Sequence, residues 1–313
     1  MAKATTRARG RRAVRSREGA RRPTPRHRQG LVALTLATTG VVVAVVVLWS
    51  DGGNEAIAPA TGSAPFVGGD LHSLISVPGN GPWFVGGHEG VASSVDPGSS
   101  WARVESLDDA DAMGWAILDG AIWVGGHPGL RVSTDGGRTF EVRNDGLPAT
   151  DIHALGGSGS TLFAASPAAG FLVSTDAGVT WEIRNPNVGQ GFMGSILVDP
   201  SRPGRVVAPD MQAGAVESID GGRTWRALGG VPGAMWVTWA PDDRDFIIVS
   251  GMGVAAISRD GGSTWNSIEV PPGASIVQID ADAPRTLYTA ILSEDGTAQL
   301  SVSTDEGSSW APM

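Results

Sequence analysis

The chain has 313 residues, with 45 Gly, 20 Pro, 11 Trp and no Cys. So much turn punctuation argues for many short elements rather than a helical bundle, and the missing cysteine excludes disulfides, thiolate metal sites, a cysteine nucleophile and a lipoprotein anchor. The net charge of −9 averages two unlike parts: residues 1–30 hold eleven Lys and Arg against one acid, Glu18, and the remainder holds 12 bases against 31 acids.

That asymmetry speaks for two compartments rather than for a nucleic-acid-binding domain. Residues 1–30 read as a basic cytoplasmic tail. Residues 31–50, LVALTLATTGVVVAVVVLWS, are free of charge. Twenty helical residues rise about 30 Å, one hydrocarbon thickness, so this run reads as a transmembrane signal anchor. The arginine-rich flank sets the N-terminus inside and exports everything after Ser50. A cleaved signal peptide is the competing reading, but its apolar region is normally shorter. Residues 51–65 are small, polar and rich in Pro and Gly, as in a tether. The expected location is the plasma membrane, single-pass, with an extracytoplasmic domain over 66–313 and no nucleic-acid partner.

That domain is repetitive. Ser-x-Asp-x-Gly-x-Thr/Ser-aromatic recurs as SVDPGSSW, STDGGRTF, STDAGVTW, SIDGGRTW, SRDGGSTW and STDEGSSW. The aspartates are Asp96, Asp135, Asp176, Asp220, Asp260 and Asp305, spaced 39, 41, 44, 40 and 45 residues apart. An Asp that accepts from its own turn, a Gly for positive φ and an aromatic for packing suit a turn between antiparallel strands. These residues are therefore read as structural. Two alternating apolar runs, for example MGWAIL and AIWVGG, come before the strand that enters each turn, GLRVS, and a short strand, FEVRN, follows it. The unit is a four-stranded blade, and six blades of about 41 residues fill the domain. The expected fold is an all-β, six-bladed propeller of four-stranded antiparallel blades behind one N-terminal helix. Ring closure is expected between residues 64–69 and the last strand, beginning at Trp310.

The motif resembles the Asp box, or bacterial neuraminidase repeat, of sialidase-like β-propellers. Segments such as GGHPGLRVSTDGGRTF are similar to exported bacterial propellers labelled glycosyl hydrolases. The resemblance implies a glycoside hydrolase as one function. A sialidase needs an arginine triad and a Tyr nucleophile with an acid/base pair; here no arginine maps to the channel mouth, and the one tyrosine, Tyr288, lies inside a strand.

Aligning the inner strands places His72, Met113, His153, Met193, Met235 and Ser275 at one equivalent position. The ends of the second strands add His88, His127, Met211 and Met252. All of these fall on one face, at the channel mouth, beside Asp70, Glu89, Asp111 and Asp151. Imidazole with thioether suits copper, and imidazole with carboxylate suits zinc. The bland alternative is methionine packing with locally bonded histidines. For a hydrolase the catalytic carboxylates would come from Asp70, Asp111, Asp151 and Glu89, with Trp115 and Trp236 near enough to stack on a sugar. The reading that leads is a ligand-binding or assembly module, with a small ligand or a protein partner at the mouth; the glycoside hydrolase is the alternative.

Overall fold

The computed structural model describes residues 64–313 apart from Ser99 and Pro203. The basic tail, the apolar run 31–50 and the tether up to residue 63 lie outside the described residues. Among the described residues no helix is long and apolar enough to cross a membrane.

The strands form six antiparallel blades, each built from consecutive sequence. In blade two the order is Asp111–Leu118, Ala121–His127, Gly129–Ser133 and Glu141–Val142. The inner strands of the other blades start at Leu71, Ala154, Gly194, Trp236 and Ile276. Inner and second strands are apolar on both faces, because each blade is covered by its neighbours: Ala121–His127 is buried at five consecutive positions. The fourth strands are short and exposed.

Five of the six Ser-x-Asp-x-Gly turns share one bonding pattern. The hydroxyls of Ser133, Ser174, Ser218, Ser258 and Ser303 donate to their aspartate Oδ1 at 2.7–2.8 Å. Each accepts the amide of the turn's glycine at 2.8 Å. The second carboxylate oxygen accepts the Thr or Ser hydroxyl four residues on, at 2.6–2.7 Å. Blade one departs from this: the Ser94 hydroxyl donates to the Asp96 carbonyl, and Pro97 follows. The closing aromatic ties its blade to the preceding one. Trp225 packs at 5.0 Å from Phe171 and 4.9 Å from Phe192, and the indoles of Trp265 and Trp310 donate to the Leu228 and Glu269 carbonyls.

Two features differ from expectation. The sheet of blade three has a fifth strand, because Gly194–Ser195 from blade four pairs in parallel with Ala154–Ser158. Blade four's inner strand is thereby split into Gly194–Ser195 and Leu197–Val198. Glycine permits the approach: a Cβ on Gly156 would stand 1.8 Å from the Ile196 carbonyl oxygen. Gly156→Ala is accordingly expected to cost about 1–3 kcal/mol by overpacking, read as a lower calorimetric midpoint; an unchanged midpoint would mean that the two inner strands are not in contact.

The second difference is ring closure. The final strand Ala311–Pro312 pairs with Ser301 and Val302 of its own blade, so blade six is complete without the N-terminal segment. Instead the Ala298 amide donates to Pro65 O, and the Val67 and Gly68 amides donate to Gly296 O. The segment thus seals against the hairpin between the second and third strands of blade six. Asp282 of blade six also accepts the Gly79 and Asn80 amides of blade one, and Trp83 packs on Tyr288 at 4.4 Å.

Candidate functional site

The inner strands of blades one and two carry the same irregularity. Leu71 pairs with Gly87 and Ser73 with Gly86, leaving His72 as the extra residue. Ala112 pairs with Gly126 and Gly114 with Gly125, leaving Met113 as the extra residue. A bulge re-aims its side chain, and here it also presses the inner strand on the second one. A Cβ on Gly87 would lie 2.1 Å from Asp70 O, and one on Gly126 would lie 1.4 Å from Asp111 O. This is the physical reason for the second glycine of GGHEG and GGHPG; the first, Gly86 and Gly125, are crowded instead by Ala112 and Ile152. In blades three, four and five the equivalent amides of His153, Met193 and Met235 donate to the carbonyls of Ala165, Pro209 and Ser250. The alignment of inner strands by spacing therefore matches the register.

The bulge carries His72 inward, to 9% side-chain exposure, against Asp111 of the next blade. His72 Nε2 is 3.3 Å from Asp111 Oδ1 and 3.7 Å from Asp70 Oδ2. His88 Nδ1 is 3.5 Å from Asp111 Oδ2, and the two imidazole centroids are 5.7 Å apart. Donor atoms of His72, His88 and Asp111 all lie within 4.8 Å of one another. The 3.3 Å contact is close but not aligned as a hydrogen bond: both ring nitrogens of His72, and Asp111 Oδ1, are buried without a hydrogen-bond partner. Asp70 is held differently, with its Oδ1 accepting the Leu71 amide at 2.8 Å.

An open cavity of about 370 Å³ adjoins this cluster, lined by His88, Asp109, Asp111, His127 and Asp151. His127 stands across the ladder from Asp111. Asp151 is paired with His153 at 3.0 Å. Asp109, which sequence reasoning missed, binds Arg131 Nη2 at 2.7 Å. Its only sequence signal was the acidic run DDAD before the inner strand of blade two. Arg131 thus holds an acid of the mouth cavity without lining the cavity itself.

The remaining candidates disperse. Glu89 donates its amide to Val67 O and lines a separate cavity with Phe66 and Gly296 at the ring closure. Met113 is buried, while Met211 and Met252 are exposed on blades four and five. Met193 and Met235 are half-buried. Trp115 and Trp236 are not sugar platforms: they are 4% and 0% exposed. Their indole N–H groups donate to Ser73 Oγ and Gln278 Oε1. Phe66 is the exposed aromatic, and among the described residues no tryptophan is exposed. Tyr288, packed on Trp83, is likewise away from the mouth, and burial raises its phenol pKa.

No protein-family model matches the chain, and no curated protein matches it in sequence. Solved structures share the fold. The GH74 xyloglucanase from Xanthomonas campestris is 18% identical with a TM-score of 0.55, covering 82% of this chain and 47% of its own. The GH74 enzyme of Niastella koreensis is 18% identical with a TM-score of 0.58, covering 80% and 46%. YCF48 bound to D1 peptide is 16% identical with a TM-score of 0.51, covering 82% and 85%. The chain spans about half the length of the GH74 enzymes it matches. These likenesses show the fold alone, and with the six sheets of this chain the class is a six-bladed β-propeller.

Proposed function

We propose that this chain is an extracytoplasmic binding propeller, tethered through residues 31–50, that captures its ligand at the channel mouth over blades one to three. The observation that carries this reading is the open cavity where His88, His127, Asp111 and Asp151 converge. Carbohydrate enzymes expose aromatic rings to their substrates, whereas no aromatic ring other than the histidines lines this mouth and Trp115 and Trp236 are spent on packing. One known propeller of this fold is solved with a peptide bound, which fits a binding role.

The test is site-specific photocrosslinking in cells that express the full chain. A photoreactive side chain in place of exposed His127 is expected to give a discrete adduct. One in place of Val179, exposed on an outer turn, is expected to give none. Adducts from position 179 and not from 127 would overturn the reading.

A second reading, a glycoside hydrolase, rests on the approach of Asp70 and Asp111 to the same His72 nitrogen. Two nearby carboxylates are the minimum such chemistry needs. A screen of glycoside substrates decides: turnover abolished by Asp111→Asn or Asp70→Asn would establish the hydrolase in place of the binding module.

A further inference from the structure

The ion network of Arg205, Glu217 and Asp199 is fully paired and ties blades four and five together. The 260 Å³ cavity at the opposite end of the channel is lined by inner-strand residues of all six blades and is open to no charged group. The His72 cluster is different, because its most buried member has no partner.

We infer that His72, His88 and Asp111 form a zinc site whose fourth coordination position opens into the mouth cavity. The inference rests on the reading of the mouth as the binding face and specifies what does the binding there. Four observations support it. First, the donors are two imidazoles and one carboxylate, a set that zinc takes in sites that keep a position open. Second, the spacing fits. Bonds of 2.0–2.1 Å to a tetrahedral ion put neighbouring donors roughly 3.3 Å apart; His72 Nε2 is 3.3 Å from Asp111 Oδ1, His88 Nδ1 is 3.5 Å from the other carboxylate oxygen, Oδ2, and one donor atom of each residue lies within 4.8 Å of the other two. Third, His72 is nine-tenths buried with neither ring nitrogen bonded, and Asp111 Oδ1 is orphaned beside it. Buried polar atoms left bare are costly, and a cation held between them would satisfy both. Fourth, the backbone aims the donors. The bulge turns His72 in, His88 follows the glycine that the bulge requires, and Asp111 heads the next blade's inner strand.

Three protein ligands leave room for one more. The cavity beyond is lined by Asp109, His127 and Asp151, so the position faces solvent and not packed core. A water would hold it until an incoming carboxylate or imidazole replaces it. The ligand class is therefore a molecule that presents a metal-binding oxygen or nitrogen donor.

The experiment is calorimetric titration of the full chain, stripped with chelator, using zinc chloride. Wild type is expected to bind one equivalent. Losing an outer partner of a metal ligand costs about 10–100-fold in affinity, so Asp111→Asn and His88→Ala are expected to lose at least that much. His88 is 64% exposed, so His88→Ala tests the site without threatening the fold. His153→Ala, one blade on and paired to Asp151, is expected to bind as wild type does. No zinc uptake by wild type, or uptake unchanged in both ligand variants, would overturn the site. Copper(I) bound more tightly than zinc and lost on Met113→Leu would overturn the metal's identity. Crosslinking at position 127 separates the two claims. An adduct without zinc uptake leaves the binding face standing and removes the metal, and zinc uptake without an adduct does the reverse.

Discussion

Replacing Trp236 by alanine is expected to lower the unfolding free energy by about 3–5 kcal/mol, which for a domain of this size is roughly 10 °C in the melting midpoint. Trp236 starts the inner strand of blade five but belongs to the core cluster of blades one, two and six. It is fully buried, and its indole N–H donates to Gln278 Oε1 of blade six at 3.0 Å. Gly194 lies directly against it: a Cβ there would be 2.5 Å from the indole Cε3. The ring therefore fills the centre of the propeller and touches blades it is not part of. Truncation would leave a cavity that rigid sheets cannot close, and Gln278 would lose its donor. Trp236→Phe should recover part of the loss. A drop of less than about 1 kcal/mol for alanine, outside the range of buried large-to-small changes, would show that the centre is not packed in this way.

The second large effect is acid lability. Hydrogen bonds from Thr139, Thr180, Thr224 and Ser309, followed by other donors in the same turns, hold Asp135, Asp176, Asp220 and Asp305 below the usual carboxylate pKa. Asp260 is lowered in the same way by the Thr264 amide and hydroxyl. Asp176 and Asp305 fall to about 2. A folded pKa below the unfolded value, about 3.9, means a contribution that is complete above the unfolded pKa. It is lost as pH falls through the folded pKa. Stability is thus expected to be flat from pH 7 to about 5 and to drop between about pH 4 and pH 2 as the turns take up protons. With Asp176→Asn and Asp305→Asn combined, proton uptake on unfolding at pH 3 should shrink by roughly 0.8 per turn. The check is the melting midpoint as a function of pH. A midpoint that holds constant down to pH 2 would mean that the turn carboxylates titrate normally.

Much of the fold was legible because one turn chemistry repeats. Six aspartates at near-constant spacing located the blades, and the apolar runs before them located the inner strands. What the repeat did not carry was harder to read. Thr297, which bridges Phe66, sits in a hairpin outside any motif, so the closing contact was assigned to the wrong strand. The parallel pair between blades three and four depends on Gly156 meeting the Ile196 carbonyl, a tertiary coincidence with no local signal. Trp115 and Trp236 are expected near the mouth, yet both line the cavity at the other end of the channel. Whether a side chain at that depth meets solvent or packed core depends on how far the six inner strands close on each other.

The site shows the same division. Aligned strand ends put His72 and His88, whose ring centroids are 5.7 Å apart, on one face of blade one. They could not show that a bulge sinks His72 while His88 stays exposed, nor that Asp111 of the following blade reaches both rings. Asp111 is a catalytic candidate in the sequence because it lies beside the aligned strand ends, where two carboxylates could pair. In the structure it is 15% exposed and stands between two imidazoles. His127 and His153, equal to the others by sequence, stay outside the cluster of three. The methionines of blades four and five lie beyond it on other blades.

The central claim is that the mouth holds a metal through His72, His88 and Asp111. X-ray absorption at the zinc edge, on the full chain loaded with one equivalent, tests it most directly. The account predicts a first shell of nitrogen and oxygen at about 2.0–2.1 Å, with outer-shell scattering from two imidazoles that falls to one in His88→Ala. A shell of water oxygens without imidazole scattering, or one containing sulfur, would contradict it.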